Sequence, residues 1–353
     1  MEILAMAWFP AIASNVLLAA CMAAAAWFVQ RRLRRPGLAG VLWVLALLKL
    51  VTPPVVRVSV LELPASMACA LGACHCFQHA GTTGLVRDAA PLVLLGAWAI
   101  GAAATAAIAR RRWSRFRRLM AHAAPAPRSW QRVATRVAQE LALRRTPAVL
   151  AVPGRLPPLV IAGWRSARLL VPAELMGQLT SAQREALLLH ELSHLKRGDH
   201  LVRWAELAVR VAFWWLPGVG WIGRQLRACE ESCCDAAVAA RRPHARRDYA
   251  RLVLDVVDFS NPLPRPQLAP ATEMSAGTGL EERVRAILDD DPPRRRAGTP
   301  TALTVGAACA ILPLGLHYDF ATARADAAPS AIELCDPAAA PPPSRMSAFC
   351  CPG

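Results

Sequence analysis

The chain has 353 residues, is 55% hydrophobic and carries a formal net charge of +16. An ordinary soluble domain does not combine that apolar content with so basic a balance, whereas a membrane protein with basic cytoplasmic loops does. Nucleic-acid binding is not expected: the arginines cluster beside apolar runs, with no zinc knuckle, helix-turn-helix signal or aromatic–basic interleave.

In chain order, four segments approach the roughly 20 residues that a helical crossing needs. The first is about Leu4 to Val29. It has no basic n-region and its arginines follow the apolar run, so it reads as a signal anchor with its N-terminus outside, not a cleaved signal. The second is about Leu38 to Val56 and carries Lys49, whose long stem can snorkel toward an interface. The third is about Ala89 to Ala109 and the fourth about Thr299 to Leu316. Basic clusters at Arg31 to Arg35, Arg110 to Arg118 and Arg294 to Arg296 all fall on one side of a four-span arrangement. That side is cytoplasmic by the positive-inside rule. The predicted layout is therefore three spans within residues 1–109 with an external loop at 57–88, a cytoplasmic region at 110–298, a fourth span at 299–316 and an external tail at 317–353. The tail is Ala/Pro-rich and reads as flexible.

Within the cytoplasmic region lies HELSHLKRGDH, His190 to His200. His190 and His194 are four apart and share one face of a predicted helix, with Ser181 as its N-cap and Gly198 as its stop. Glu191 stands beside the first histidine, where it can take a proton from a metal-activated water. That is the mechanical content of H-E-x-x-H. A third ligand is needed. His200 has the spacing of the extended motif, but Arg197 stands where that motif needs glycine. The stretch ACEESCCDAAVAA offers Glu231 instead, with Asp235 four residues on along the same face. Glu231 completes a His-His-Glu zinc set, and Asp235 can hold the tautomer of a ligand histidine. Glu230 is the alternative if the register is one residue off. Between the two elements, WAELAVRVAFWWLPGVGWIGRQL is apolar, yet a single crossing there would separate Glu231 from His190. It must hug the membrane or dip in and return.

HELSHLKRGDH followed by ESCCDAAV resembles the BlaR/MecR-type integral-membrane zinc metallopeptidases, the antirepressor or signal-transducer peptidases. The resemblance extends upstream through PGRLPPLVIAGWRSARLLVPAELMGQLTSAQREALLLHELSH, which looks like a strand, a loop and a second strand ending in Pro172. It extends downstream to GLEERVRAILDD. It implies a mainly α membrane protein: four transmembrane helices with a cytoplasmic α+β zinc-metallopeptidase (HExxH) domain, in the bilayer of the bacterial inner membrane. It also implies one Zn2+ per chain on His190, His194 and Glu231, Glu191 as general base, Asp235 as supporting carboxylate, and a protein substrate such as a cytoplasmic transcriptional repressor or the chain itself. The competing readings are a membrane-protein quality-control protease and a non-catalytic transducer. An extended substrate has two candidate strand edges to pair with, RLLVPAEL and PPLVIAG. The best-known relatives carry an external penicillin-binding domain, and a member without that sensor is expected here.

Of the 11 cysteines, Cys21 and Cys309 fall in spans and read as small apolar residues. Cys229, Cys233 and Cys234 are cytoplasmic and expected to be reduced. Cys69, Cys74, Cys76, Cys335, Cys350 and Cys351 fall outside, where disulfides persist, so bridges are expected among them. Sequence does not choose the pairing. Metal capture with His75 and His79 is the alternative.

Overall fold

The computed structural model describes residues 2–63, 84–162, 166–260, 270–289 and 306–320. The chain divides into two units, one of Met1–Val56 with Arg87–Gly315 and one of Arg57–Val86 with Leu316–Gly353. In the second, the strands β1 (Val56–Leu63) and β6 (Leu314–Phe320) form a two-stranded sheet. The six cysteines expected to form bridges lie outside the described residues.

The first unit is mostly helical. Helices α1 (Glu2–Arg31) and α2 (Pro36–Val51) pack against each other across the short Arg-rich turn, and α3 (Gly84–Met120) is the third apolar helix. Two stretches, Ala11–Arg31 and Leu92–Arg118, are long and apolar enough to cross a membrane. At 16 residues α2 spans about 24 Å and stops at Val51, short of the expected Val56. Pro53 and Pro54 explain the early stop, since a proline lacks the N–H and disfavours helix in the residue before it. The same physics corrects the end of the fourth expected span. Among its described residues the helix covers only 306–311, and the chain is a strand from Leu314 onward. Pro313 ends it. Lys49, expected to snorkel, is instead fully buried and donates to the carbonyls of Leu312 at 3.0 Å and Leu314 at 2.7 Å.

The rest of the unit surrounds a small sheet of β2 (Ala124–Pro125), β3 (Ala148–Val152), β4 (Leu159–Ala162) and β5 (Ala167–Pro172), in the order β2-β3-β5-β4. β3 and β5 are parallel, and β4 runs antiparallel to β5 at the edge. β5 is thus interior and offers no free edge; of the two candidate edges only PPLVIAG remains. Helix α4 (Arg128–Glu140) and the short α5 (Ala173–Gln178) flank the sheet.

Helix α6 (Ser181–Arg197) is the central element. Its residues Ala186 to Ser193 are all buried, in a core shared with α4, the sheet and the helices beyond. Its N-cap is Thr180, one residue before the expected Ser181. The Thr180 hydroxyl accepts from the Gln183 amide at 3.3 Å, and the Gln183 side chain accepts from the Thr180 amide at 2.9 Å. T-x-x-Q is a capping box, which satisfies two otherwise orphaned donors. Thr180→Ala should therefore cost about 1 kcal/mol, read as a lowered thermal midpoint. An unchanged midpoint would mean the cap adds nothing.

Gly198 ends α6 with φ +79°, a left-handed conformation that glycine adopts without strain. Helix α7 (Asp199–Ala212) begins at the next residue. After a turn, α8 (Pro217–Arg241) runs back, followed by α9 (Arg246–Ser260) and α10 (Pro270–Leu288). A second core joins α1 and α2 to the first half of α8, through Ala23, Ala39, Leu42, Trp43, Ile222 and Leu226 among others.

Candidate metal centre

Helical spacing places His190 and His194 one turn apart, with their Nε2 atoms 3.3 Å from each other. α8 packs against α6 and brings Glu231 over both. Its Oε2 lies 3.4 Å from His190 Nε2 and its Oε1 3.5 Å from His194 Nε2. One ligand atom from each of the three residues lies within 4.8 Å of the other two.

The far side of each imidazole is held. His194 Nδ1 is 2.7 Å from Asp199 Oδ2. His190 Nδ1 is 2.8 Å from the Tyr249 hydroxyl and 3.2 Å from Asp235 Oδ1. Tyr249 in turn donates to Asp235 Oδ1 at 2.7 Å. With both imidazoles neutral, as metal ligands would be, the consistent assignment has Nδ1–H donating outward from both rings, which turns both Nε2 lone pairs toward Glu231. Three electron-rich atoms then converge, an arrangement that repels itself unless a cation sits among them. Two imidazoles and a carboxylate with room for water are a donor set that suits zinc. The residues fit the metal.

Arg283 on α10 braces the carboxylates. Its Nε donates to Asp235 Oδ2 at 2.8 Å and an Nη donates to Asp235 Oδ1 at 3.0 Å. Nη2 is also 3.0 Å from Glu231 Oε2. Electrostatics follow this geometry. Burial opposes charge on Asp235, but hydrogen bonds from His190 and Arg283 hold its carboxyl well below the usual range. Burial likewise opposes charge on Glu231, and His190 and Arg283 bring it down to about 2. For His190, burial disfavours the cation, yet hydrogen bonds to Asp235 and Glu231 push its pKa up to about 10. Positive charge is therefore favoured where the donors meet. Glu191 is different: burial dominates, the nearby histidines only partly offset it, and its carboxyl rises to about 7.

The site opens into a cleft of about 480 Å³. Glu191, His200 and Arg203 line it, together with Leu159 and Val160 of the edge strand β4 and Leu252 and Val256 of α9. The structure thus brings His190, Glu191, His194, Glu231 and Asp235 together. His200 lines the cleft outside the His-His-Glu set, and its Nδ1 is buried with no hydrogen-bond partner among the described residues. Glu230 points into a different network, bonded to Arg203. His194, Asp199 and Cys234 also cluster. There the imidazole nitrogen is already engaged by Asp199, and burial keeps the Cys234 thiol protonated by pushing its pKa far up. Sequence reasoning missed Tyr249 and Arg283. Arg283 lies in GLEERVRAILDD and was open to notice as a cation one helix away from two carboxylates. For Tyr249 no sequence signal exists.

No curated protein matches the chain. The sequence model of the family described as BlaR1 peptidase M56 matches residues 7–287. That match covers well over half of the chain. It includes α6 and α8 with their histidines and carboxylates, and the apolar helices before them. The chain belongs to the BlaR1 peptidase M56 family of membrane metallopeptidases.

Proposed function

We propose that the chain is a membrane-embedded zinc endopeptidase with a cytoplasm-facing active site, which relays a signal by cleaving itself or a transcriptional repressor. The observation that carries this reading is the convergence of His190, His194 and Glu231 beside a buried glutamate in an open cleft. Those three residues would hold zinc, with His190 oriented by Tyr249 and Asp235 and His194 by Asp199. Zinc held there would supply the Lewis acidity that polarises a peptide carbonyl and acidifies a bound water toward neutrality.

Glu191 is the proton carrier. A carboxyl poised at about 7 can take a proton from the attacking water and return it to the leaving amine. β4 supports the substrate. Among the described residues it pairs only with β5, so its other edge is free beside the cleft. An extended peptide adding to that edge would lay its scissile bond past Glu191. The basic ends of α1 and α3 support a cytoplasmic site through the positive-inside rule.

Wild-type protein purified in detergent should contain one zinc per chain and cleave a protein substrate, and His194→Ala should lose both. Elemental analysis beside a proteolysis assay tests this. Zinc-free wild type would sink the proposal.

A further inference from the structure

We propose that α7, the turn at 213–216 and the first half of α8 form a re-entrant membrane hairpin whose tip is embedded among lipid acyl chains. Two neighbouring helices serve as rulers for its depth. Along α3, Trp204 near the start of α7 meets Trp113, with ring centroids 6.0 Å apart. Trp113 lies inside the basic run Arg110 to Arg118. At the other end of α7, the carbonyl of Ala212 accepts from Trp98 Nε1 at 2.8 Å. From Arg110 to Trp98 is about 12 residues, or about 18 Å along the helix.

The second ruler is α2. Cys229 packs on Gly40, where a Cβ would lie 3.8 Å from it, close to the basic turn Arg31 to Arg35. Trp221 meets the Trp43 ring edge-on at 5.0 Å. Trp43 is about 12 Å along α2 from Arg35 and Pro217 lies a further turn along α8, which sets the tip about 18 Å above the basic end of α2. Both rulers give about half the thickness of a ~30 Å hydrocarbon core.

The tip is built for such a place. Backbone groups at that depth need protein partners, because no water reaches them. Trp98 satisfies the Ala212 carbonyl, and Trp214 Nε1 returns the contact by donating to the Trp98 carbonyl at 3.2 Å. Leu216 N–H donates to Phe213 O at 2.9 Å. The acidic charge of the arms faces inward and is paired by partly exposed arginines, as intramembrane charges are. Glu206, buried between α7 and α8, accepts from Arg203 at 3.2 Å and Arg227 at 2.9 Å, with Arg210 at 3.7 Å. Arg224 is exposed about two turns back from the tip, and its guanidinium lies with that of Arg210 beside Gly220. Glycines permit the close crossings: a Cβ at Gly223 would collide with the Glu206 carboxylate, and one at Gly101 with the Trp214 indole. Trp204, Trp214, Trp215 and Trp221 are exposed, and the first two abut the uncovered apolar helix α3.

The experiment uses the full wild-type chain in lipid nanodiscs with two photoactivatable phospholipids, one carrying the reactive group near the end of the acyl chain and one on the headgroup. Peptide mapping by mass spectrometry then reads the labels. The acyl probe should label peptides spanning 211–222 as it labels α3, several-fold above the headgroup probe, and neither should label α4. Labelling of 211–222 by the headgroup probe alone would make the segment a surface helix and overturn the proposal, as would no labelling beside a labelled α3. The readout does not depend on zinc or peptidase activity, so it stands or falls apart from the functional proposal.

Discussion

Glu191→Gln should keep zinc at one per chain while lowering peptidase activity by roughly 10²–10⁴-fold, the usual contribution of a positioned general base. The substitution keeps the size of the side chain, and Glu191 is not one of the three donors that converge. Metal retention and loss of turnover should therefore separate cleanly. The carboxylate at this position is buried, which lifts its pKa to about 7 against the opposing pull of His190 and His194. A carboxyl tuned to that range can both accept and return a proton near neutral pH, which an amide cannot. Elemental analysis and turnover on one protein substrate give the two readings. Retained turnover would remove Glu191 from the chemistry, and lost zinc would make it part of the metal's support.

Asp235→Ala should be the most damaging single change among the supporting residues, costing about 3–5 kcal/mol of stability by the behaviour of broken buried charge pairs. It should also weaken zinc affinity by about 10–100-fold, as loss of a ligand's orienting partner does. Asp235 is 3% exposed and receives bonds from Arg283, Tyr249 and His190 at once. Alanine there leaves the Arg283 guanidinium with Glu231 alone, and that pull works against the donation of Glu231 to a metal. Thermal unfolding and competition titration with a zinc chelator measure the two effects. Tyr249→Phe is the internal comparison: it removes one hydroxyl and leaves the Asp235–Arg283 pair intact, for a loss of about 1 kcal/mol. If Asp235→Ala costs no more than Tyr249→Phe, the aspartate is not the keystone of this network.

Much of the site was legible because it is local. Two histidines four apart on an apolar-backed helix need no tertiary information to share a face, and neither do Glu231 and Asp235. The choice between Glu230 and Glu231 was harder. One residue turns a side chain by about 100° around a helix. Packing of α8 on α6 sends Glu231 to the histidines and Glu230 to Arg203. Tyr249 and Arg283 became visible only when α9 and α10 closed over α6. Lys49 was misjudged for the same reason, since its acceptor carbonyls lie 263 and 265 residues away in sequence. The ends of α2 and of the helix at 306–311 are a different case. The prolines that stop them stood in the sequence, and an average of hydropathy over a window does not register a missing N–H.

The junction between α6 and α7 has a mechanical meaning. Gly198 is at once the last cap of one helix and the first cap of the next, so the joint has no slack. Asp199, just past the elbow, grips His194, just before it, at 2.7 Å. Any swing of α7 about Gly198 would carry Asp199 with it, and so would bear on the imidazole that faces Glu231.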